Sequence, residues 1–311
     1  MPATDVMLAS RLSPLYLEQL SREFATHPID SAEAAKVRGF AASGDSKVPA
    51  DLIAKLPALE IISVMGVGYD GVDVAAAKQR GIMVTHTPDV LNDDVADLAI
   101  GLMLSAARQL PQADRWVREG HWAAKGAMPL ARKMSGARLG LVGMGRIGQA
   151  IAQRALAFGM TIAYTSRTPK PNLPYTYYTD ARELASRSDF LVAITPGGEG
   201  TRKLINREVL EALGPKGILV NVARGSVVDE AALIDALQRG VIGGAGLDVF
   251  EAEPNVPQAL RELPQVVLAP HIGSATGETR RAMANLAMDN LRAHFAGKPL
   301  LTPVPECRPA G

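Results

Sequence analysis

Three side chains in the last third of the chain combine a permanent cation, an acid and a group that titrates near neutral pH: Arg224, Glu253 and His271. A guanidinium offers two parallel N–H groups to a carboxylate. A carboxylate beside a histidine raises the histidine pKa and fixes its tautomer. Such a set suits the reduction of a small 2-oxo acid, because a cation can hold the substrate while a protonated donor meets the developing alkoxide.

Each of these residues has a simpler interpretation when it is taken alone. Arg224 could cap a turn at Gly225. Glu253 could be a solvated acid close to Glu251, and His271 could be a buried loop histidine. The catalytic interpretation gains weight only if the chain also carries a cofactor motif.

The G-x-G-x-x-G pattern of dinucleotide-binding turns occurs twice, at 66–71 and at 143–148, each time after an apolar strand. Bare N–H groups and the helix dipole at such a turn favour an anion, which a nearby carboxylate would repel. The first copy carries Asp70 and Asp73, whereas the second carries an arginine and continues into a helical run and a strand. We therefore expect the second copy to bind the cofactor through Gly143, Met144, Gly145, Arg146, Ile147 and Gly148.

The end of the next strand indicates which dinucleotide is bound. An NAD enzyme places an acid there, roughly 20 residues after the glycines, to bind the ribose hydroxyls. Here the chain has Ser166, Arg167 and Thr168 and no carboxylate. A guanidinium and two hydroxyls can hydrogen-bond a 2′-phosphate. The segment predicts NADP(H) in preference to NAD(H), and the simpler alternative is an exposed arginine in a polar turn.

The elements that must position these residues alternate between strand and helix. A strand–helix–strand unit is predicted within 58–85, and a long helix, Asp94 to Arg115, connects it to the middle of the chain. Six further strands are predicted at 139–142, 161–164, 190–194, 218–222, 244–249 and 266–268. Such alternation implies parallel sheets. A final helix, Glu278 to Phe295, is long enough to return to the first region.

We therefore expect an α/β fold with two Rossmann-like, doubly wound parallel-sheet domains and a cleft between them. The substrate-binding, flavodoxin-like domain would be discontinuous, at 1–98 plus 284–311, and the dinucleotide-binding domain would span 99–283. In such sheets the ligand lies beyond the carboxyl ends of the strands, where polar side chains should converge. The polar residues at these positions are Thr195, Arg224, Asp248 and His271.

Composition excludes several other classes of protein. With 311 residues the chain exceeds the roughly 250 residues at which a single core stops growing. A net charge of +1 gives no signal for nucleic acid, and Cys307 as the single cysteine excludes an internal disulfide. The remaining histidines lack metal-ligand spacing, so we expect no metal. The absence of a leader and of a long apolar run predicts a cytoplasmic protein.

Four segments resemble the D-isomer-specific 2-hydroxyacid dehydrogenase family, in a match that runs nearly end to end: 140–148, 221–225, 247–254 and 269–273. The stretches 118–122 and 166–168 look like the glyoxylate and hydroxypyruvate reductase branch of that family. The loop after the third strand of the middle region departs from the family pattern, although we expect Thr195 and Pro196 in it to contact the cofactor.

The resemblance assigns roles to individual residues. It implies that Arg224 binds the carboxylate and the carbonyl of the substrate. It implies that Glu253 supports His271, which acts as the acid or base. The aspartate of the L-D-V-F segment, Asp248, would lie near the nicotinamide carboxamide.

The resemblance also gives the first glycine motif a purpose, because the family presents backbone N–H groups of this loop to the substrate carboxylate. Val67 and Gly68 occupy those positions here. A small carboxylate held by main-chain donors tolerates nearby acids better than a pyrophosphate does. A tight turn without a ligand is the simpler alternative. The family resemblance further implies a homodimer.

Two other functions stay open at this point. One is an NAD-linked 2-hydroxyacid dehydrogenase of the phosphoglycerate or formate type, against which the missing acid at Ser166 argues. The other is a catalytically inactive, corepressor-like sensor of the dinucleotide, against which the presence of Arg224, Glu253 and His271 argues. We expect an NADP(H)-preferring reductase of small 2-oxo acids to 2-hydroxy acids.

Overall fold

The computed structural model of the protein describes residues 4–308, which form two compact units. The first unit contains the chain up to Leu91 and from Ser274 onward, and the second is Asn92–Gly273. The predicted domain boundaries, after residue 98 and before residue 284, fall inside two long helices, whereas domain boundaries usually fall in exposed linkers. Those boundaries stay predictions, and the ends of the first predicted domain, 1–3 and 309–311, lie outside the described residues.

The first unit is built on a parallel sheet of five strands. The strands are β1 (Asp5–Leu8), β2 (Ala25–Pro28), β3 (Gly39–Ser43), β4 (Ile61–Met65) and β5 (Met83–Thr85). Their order across the sheet is β2-β1-β3-β4-β5. The helices are α1 (Pro14–Glu23), α2 (Ala50–Ala54), α3 (Val74–Gln79), the C-terminal helix Gly277–Phe295 and the 3₁₀ turns Ala32–Lys36 and Pro305–Cys307.

Strand β4 lies between β3 and the edge strand β5 and is buried along its whole length. Such burial is typical of parallel strands whose two faces are both covered by helices. The C-terminal helix packs on β4, and the hydroxyl of Ser63 donates to the carbonyl of Ala287 at 3.0 Å. The loop that follows β4 therefore starts from a fixed element.

The second unit is built on a parallel sheet of seven strands. The strands are β6 (Arg138–Val142), β7 (Thr161–Thr165), β8 (Thr176–Tyr177), β9 (Phe190–Ala193), β10 (Ile218–Asn221), β11 (Gly244–Leu247) and β12 (Val266–Leu268). The helices are α4 (Asn92–Arg108), α5 (Leu110–Arg118), α6 (His121–Lys125), α7 (Arg146–Leu156), α8 (Ala181–Ser186), α9 (Arg207–Leu213), α10 (Glu230–Gln238), α11 (Gln258–Arg261) and the 3₁₀ turns Glu199–Thr201 and Gly225–Val227.

The two parallel sheets confirm the predicted α/β class, and all six strands predicted for the middle of the chain are present. The order in the second sheet is β12-β11-β10-β9-β6-β7-β8, so that β6 has β7 on one side and β9 on the other. The chain reverses its direction of progress across the sheet at this point. Ligands of open parallel sheets bind outside the carboxyl ends of the strands at such a switch point.

The prediction of one continuous helix from Asp94 to Arg115 is wrong. Helix α4 ends at Arg108, and Gln109 adopts a left-handed conformation with φ 52° before α5 begins. Pro111 explains the break, because proline lacks an N–H group and its ring clashes with the carbonyl four residues earlier. That carbonyl, of Ala107, accepts a hydrogen bond from the N–H of Arg132 at 2.9 Å instead.

Among the helices of residues 4–308, none combines the length and the apolar character needed to span a bilayer.

Candidate active site

The turn between β6 and α7 contains three glycines with different surroundings. Gly143 has φ 113°, and a Cβ atom built on it would lie 2.5 Å from the carbonyl oxygen of Ile194. A Cβ on Gly148 would lie 2.5 Å from the carbonyl oxygen of Gly143. A Cβ on Gly145 would meet no protein atom within 4 Å. The outer glycines thus pack the turn against its neighbours, while the middle one leaves its backbone open to a ligand.

Helix α7 begins directly after Gly145, so the N–H groups of its first turn meet the open side of this glycine turn. These groups have no partner inside the helix and attract anions. The side chain of Arg146 is exposed at this positive helix end, whereas Met144 is buried beneath the turn and Ile147 is partly buried. The segment can therefore bind a pyrophosphate.

The first glycine motif is built differently. Gly71 packs against a neighbouring loop, since a Cβ on it would lie 2.1 Å from the carbonyl oxygen of Ser46. Helix α3 starts only at Val74, and the Asp73 carboxylate already accepts the N–H of Ala76 at 2.9 Å. The carboxylate of Asp73 thus caps this helix, and its negative charge would repel a pyrophosphate there.

The segment after β7 is an ordered polar turn. The hydroxyl of Ser166 donates to the carbonyl of Thr168 at 2.6 Å, and the hydroxyl of Tyr177 donates to the carbonyl of Ser166 at 3.2 Å. The N–H of Gly143 donates to the carbonyl of Thr165 at 2.9 Å, which ties this turn to the glycine turn. Arg167 is exposed and forms no ion pair with any carboxylate of residues 4–308.

The loop after β9 lies against the same glycine turn. A Cβ on Gly143 would be 3.1 Å from the backbone nitrogen of Thr195. The next residue, Pro196, accepts a hydrogen bond from the hydroxyl of Thr201 at 2.7 Å, and Gly198 follows with φ 120°. Thr195 and Pro196 therefore lie at the carboxyl end of the sheet, next to the predicted pyrophosphate site.

Arg224 follows β10 on a backbone held from two sides. The buried side chain of Asn221 accepts the N–H of Ala223 at 3.1 Å and donates to the carbonyl of Arg224 at 3.0 Å. A Cβ on Gly225 would lie 2.0 Å from the carbonyl group of Phe250, so this loop approaches the next one as only a glycine permits. Sequence reasoning missed these supports, although an asparagine at a turn is a recognised signal for such bonds.

Glu253 and His271 form the predicted pair. Nδ1 of His271 lies 2.7 Å from Oε2 of Glu253, and Oε1 of the same carboxylate accepts the N–H of Phe250 at 3.0 Å. Because a carboxylate accepts, Nδ1 donates, and Nε2 is the nitrogen available for proton transfer. The imidazole is 41% exposed, so the ring is accessible from solvent.

The charges of this group act on one another. The hydrogen bond to Glu253 raises the pKa of His271 above its ordinary value, against the opposing effects of burial and of the Arg224 charge. Burial acts to raise the pKa of the Glu253 carboxyl, but hydrogen bonds from His271 and Phe250 hold it below its ordinary value. Both shifts favour the charged pair, a protonated imidazole beside an ionised carboxylate, over the neutral pair.

Asp248 fastens the loop that carries the histidine. Its carboxylate, only 2% exposed, accepts the N–H of Ile272 at 2.7 Å and the N–H of Gly273 at 2.8 Å. Its carbonyl accepts the N–H of His271 at 2.8 Å. His271 has φ 54°, a conformation that costs about 1–3 kcal/mol and needs such support. Burial raises the pKa of the Asp248 carboxyl, although both N–H donors oppose this.

The structure thus brings most of the predicted residues to the carboxyl edge of the second sheet. Val67 and Gly68 belong to the first unit, in the loop after β4. Their N–H groups donate to no oxygen within residues 4–308 and are available to a carboxylate. The same residues contain no group of three or more histidine, cysteine or acidic side chains that could hold a metal ion.

Comparisons with known proteins identify the family. The family model described as D-isomer specific 2-hydroxyacid dehydrogenase, NAD binding domain, matches residues 100–273. Hydroxyphenylpyruvate reductase of Plectranthus scutellarioides is 49% identical over 313 residues, covering 98% of this chain and 100% of that protein. Glyoxylate/hydroxypyruvate reductase A of Arabidopsis thaliana is 52% identical over 268 residues, covering 86% of this chain and 85% of its own length.

A solved structure gives the same result. The crystal structure of the NADPH-dependent glyoxylate/hydroxypyruvate reductase from Sinorhizobium meliloti, in complex with NADP and malonate, superposes with a TM-score of 0.94. That protein is 49% identical, and the match covers 99% of this chain and 100% of the other. The family model, described as an NAD binding domain, spans the second glycine motif and not the first. The chain belongs to the D-isomer specific 2-hydroxyacid dehydrogenases, oxidoreductases that act on CH–OH groups with a nicotinamide dinucleotide.

Proposed function

We propose that this chain is an NADP(H)-preferring reductase that converts small 2-oxo acids, of the glyoxylate and hydroxypyruvate type, to 2-hydroxy acids. The observation that carries the proposal is the contact of 2.7 Å between His271 and Glu253. The charge of Arg224 acts on this pair, which lies at the same edge of the sheet as the open glycine turn. The named activities of the relatives support the substrate class.

The cofactor fits the glycine turn by its shape, since the backbone at Gly145 is open while Gly143 and Gly148 are packed. The N–H groups at the start of α7 and the side chain of Arg146 hold the pyrophosphate. Thr195 and Pro196 border the same end of the sheet. When bound, the reduced dinucleotide supplies a hydride for the carbonyl carbon of the substrate.

The chain supplies binding and the proton. Arg224 binds the carboxylate and the carbonyl oxygen, and the N–H groups of Val67 and Gly68 add donors for the carboxylate. Protonated His271 donates from Nε2 to the carbonyl oxygen as charge develops on it. Glu253 stays ionised and accepts the hydrogen bond from Nδ1, which keeps that hydrogen on the ring, so the proton that moves is the one on Nε2. Asp248 accepts from the nicotinamide carboxamide while fastening the histidine loop.

The preference for NADP(H) rests on the turn after β7. Arg167 is exposed at that turn and, within residues 4–308, has no carboxylate partner, and Thr168 adds a hydroxyl. The hydroxyl of Ser166 joins them when it turns from the carbonyl of Thr168 to the phosphate. A guanidinium next to a 2′-phosphate forms charge-assisted hydrogen bonds that the ribose hydroxyl of NAD(H) cannot replace.

The proposal is tested by His271→Asn in the full chain. Because asparagine cannot donate the proton at neutral pH, we expect kcat for glyoxylate reduction to fall by about 10²- to 10⁴-fold. The affinity for NADPH, measured by fluorescence titration, should stay at the wild-type value. His121→Asn is the matched control, since that histidine begins α6 and its side chain contacts Trp116 and Glu119. Near wild-type turnover in His271→Asn would remove the histidine from the mechanism.

Assembly and location belong to the same proposal. We infer a homodimer, supported by the family resemblance and by large apolar side chains that α5 and α6 expose, namely Leu110, Val117 and Trp122. Contiguous exposed apolar surface is typical of interaction sites. Light scattering tests this, since a monomer mass at micromolar concentration contradicts it. A cytoplasmic location stays a prediction from composition.

A further inference from the structure

The loop after β4 is bound from one side by the segment that follows β5. Nδ1 of His86 lies 2.9 Å from the carbonyl oxygen of Val67. Because a carbonyl only accepts, Nδ1 carries the hydrogen and donates. The N–H of Thr87 donates to the carbonyl of Gly66 at 2.8 Å. His86 and Thr87 thus fix the successive carbonyls of Val67 and Gly66.

Fixing the carbonyl of Val67 also fixes the N–H of Gly68. The two groups belong to one trans peptide, in which the C=O and the N–H point in opposite directions within a plane. The hydrogen bond from His86 therefore directs the Gly68 N–H to the far side of the loop. No oxygen of residues 4–308 accepts that N–H.

His86 is itself held in place by the C-terminal segment. The backbone N–H of His86 donates to the carbonyl of Thr302 at 3.1 Å. The hydroxyl of Thr302 donates to the backbone carbonyl of His86 at 2.5 Å. The buried amide of Asn290 donates to the same hydroxyl at 2.8 Å. The ring of Tyr69 packs edge-on against the imidazole, with centroids 5.3 Å apart. The imidazole is buried, so its orientation is set by these contacts.

The residues on either side of Val67 also pack against Gly44. A Cβ on Gly66 would lie 2.8 Å from the Cα of Gly44, and the carbonyl of Gly68 lies close to the same two glycines. A backbone packed in this way against another backbone has few alternative conformations. The peptide between Val67 and Gly68 is therefore fixed by the hydrogen bond from His86 to its carbonyl and by the packing of Gly66 and Gly68 against Gly44.

We propose that His86 is a positioning residue for the substrate carboxylate, which it never touches. Its hydrogen bond to the carbonyl of Val67 aims the N–H of Gly68 at the carboxylate and polarises the peptide, so that this N–H becomes a stronger donor. The inference deepens the proposed function, because the carboxylate it concerns is that of the 2-oxo acid. It adds a side chain to the part of the site that Val67 and Gly68 form with backbone groups.

The test compares His86→Phe, which keeps a ring without a donor, with His86→Gln, whose amide can donate. We expect His86→Phe to raise both the KM for glyoxylate and the dissociation constant for malonate, measured by calorimetry with NADP⁺ present, by about tenfold or more. The kcat and the NADPH affinity should change far less, because neither depends on the Gly68 N–H. His86→Gln should recover part of the loss.

His27→Phe is the matched control in the same unit, since that histidine pairs with Asp5 at 2.7 Å on β1 and β2. It should leave the KM and the malonate affinity unchanged. Thr302→Val removes only the hydroxyl behind His86, and we expect a smaller loss in the same direction. If His86→Phe does not fold, Thr302→Val decides the matter, and wild-type constants in that variant overturn the inference.

The outcomes separate this inference from the proposed function. Wild-type protein that reduces 2-oxo acids, together with a His86→Phe variant of unchanged KM and malonate affinity, overturns the role of His86 and leaves the reductase standing. Wild-type protein that binds malonate in a His86-dependent way but reduces no 2-oxo acid overturns the reductase and supports the positioning role. Wild-type protein that does neither overturns both.

Discussion

The imidazole of His271 depends on two acids that act on different parts of the residue. Glu253 binds Nδ1 and sets the protonation state, while Asp248 binds the backbone of the next two residues and sets the position. The left-handed backbone of His271 makes the second contribution necessary. Separating these tasks lets the side chain exchange a proton at Nε2 while the loop stays fixed.

The pH dependence follows from the raised pKa of His271. Reduction needs the protonated ring, so kcat/KM for a 2-oxo acid should be level at lower pH and fall as pH rises through this pKa. Oxidation of the 2-hydroxy acid needs the neutral ring and should rise over the same interval. Initial rates in both directions across the pH range check this.

Glu253→Gln supplies the control for the pH profile. An amide cannot stabilise the imidazolium as a carboxylate does, so kcat/KM for reduction should begin to fall at a lower pH than in the wild type. If kcat/KM falls at the wild-type pH in this variant, the pH dependence does not arise from the His271–Glu253 pair.

At the scale of residues, sequence predicts side-chain chemistry better than it predicts contacts with the backbone. The pairing of Glu253 with His271 is a prediction that the geometry meets at 2.7 Å. The fastening role of Asp248 depends on N–H groups in a left-handed loop, which residue types do not reveal. The role of His86 is not predictable from the sequence, because a hydrogen bond to a backbone carbonyl leaves no pattern of residue types.

In the turn between β6 and α7, the outer glycines pack against the protein, while the middle glycine leaves its backbone open for a ligand. Gly148→Ala would bring a methyl group to 2.5 Å from the carbonyl of Gly143, so we expect a loss of about 1–3 kcal/mol in the free energy of unfolding. Gly145→Ala meets no protein atom within 4 Å and should fold normally. It should nevertheless weaken NADPH binding about tenfold or more, because its methyl group occupies the approach of the pyrophosphate.

Thermal unfolding and fluorescence titration, applied to both glycine variants, check these expectations. In Gly145→Ala the thermal stability should stay at the wild-type value, while the affinity for NADPH should fall. Wild-type affinity for NADPH in that variant would contradict the cofactor role of the turn.

The turn after β7 makes a separate prediction about cofactor choice. Arg167→Ala should raise the KM for NADPH by about 10- to 100-fold and leave the KM for NADH nearly unchanged, since only the former carries the 2′-phosphate. Arg182→Ala is the matched control, an exposed arginine on α8. Equal effects on both cofactors would instead indicate a general electrostatic or structural role for Arg167.

Sequence patterns predict the second sheet more completely than the first. The strands of the second sheet are apolar runs bounded by turns, and β9, β10 and β11 are buried throughout. Strand β2, by contrast, is an edge strand with the sequence ATHP and no buried residue. Such a short polar strand forms because its neighbour supplies hydrogen bonds, which periodicity does not reveal. The break at Gln109 likewise depends on one proline.

For the whole molecule, the same architecture occurs twice, with loops that suit different anions. Each unit is a parallel sheet with a glycine-rich loop at the carboxyl end of an interior strand. In the first unit the loop offers bare peptide N–H groups, which suit a small carboxylate. In the second unit the loop opens onto an 11-residue helix, whose dipole and first-turn N–H groups suit a pyrophosphate. A literal motif match does not distinguish the two, but the charges around them do.

The central claim is that the chain transfers a hydride from NADPH to a small 2-oxo acid. The most direct measurement is the initial rate of reduced-nicotinamide oxidation by the wild-type protein with glyoxylate and with hydroxypyruvate, using NADPH and NADH in turn. We predict turnover of both acids, with kcat/KM at least about tenfold higher for NADPH than for NADH. No oxidation above the substrate-free rate with either acid and either cofactor would contradict the account.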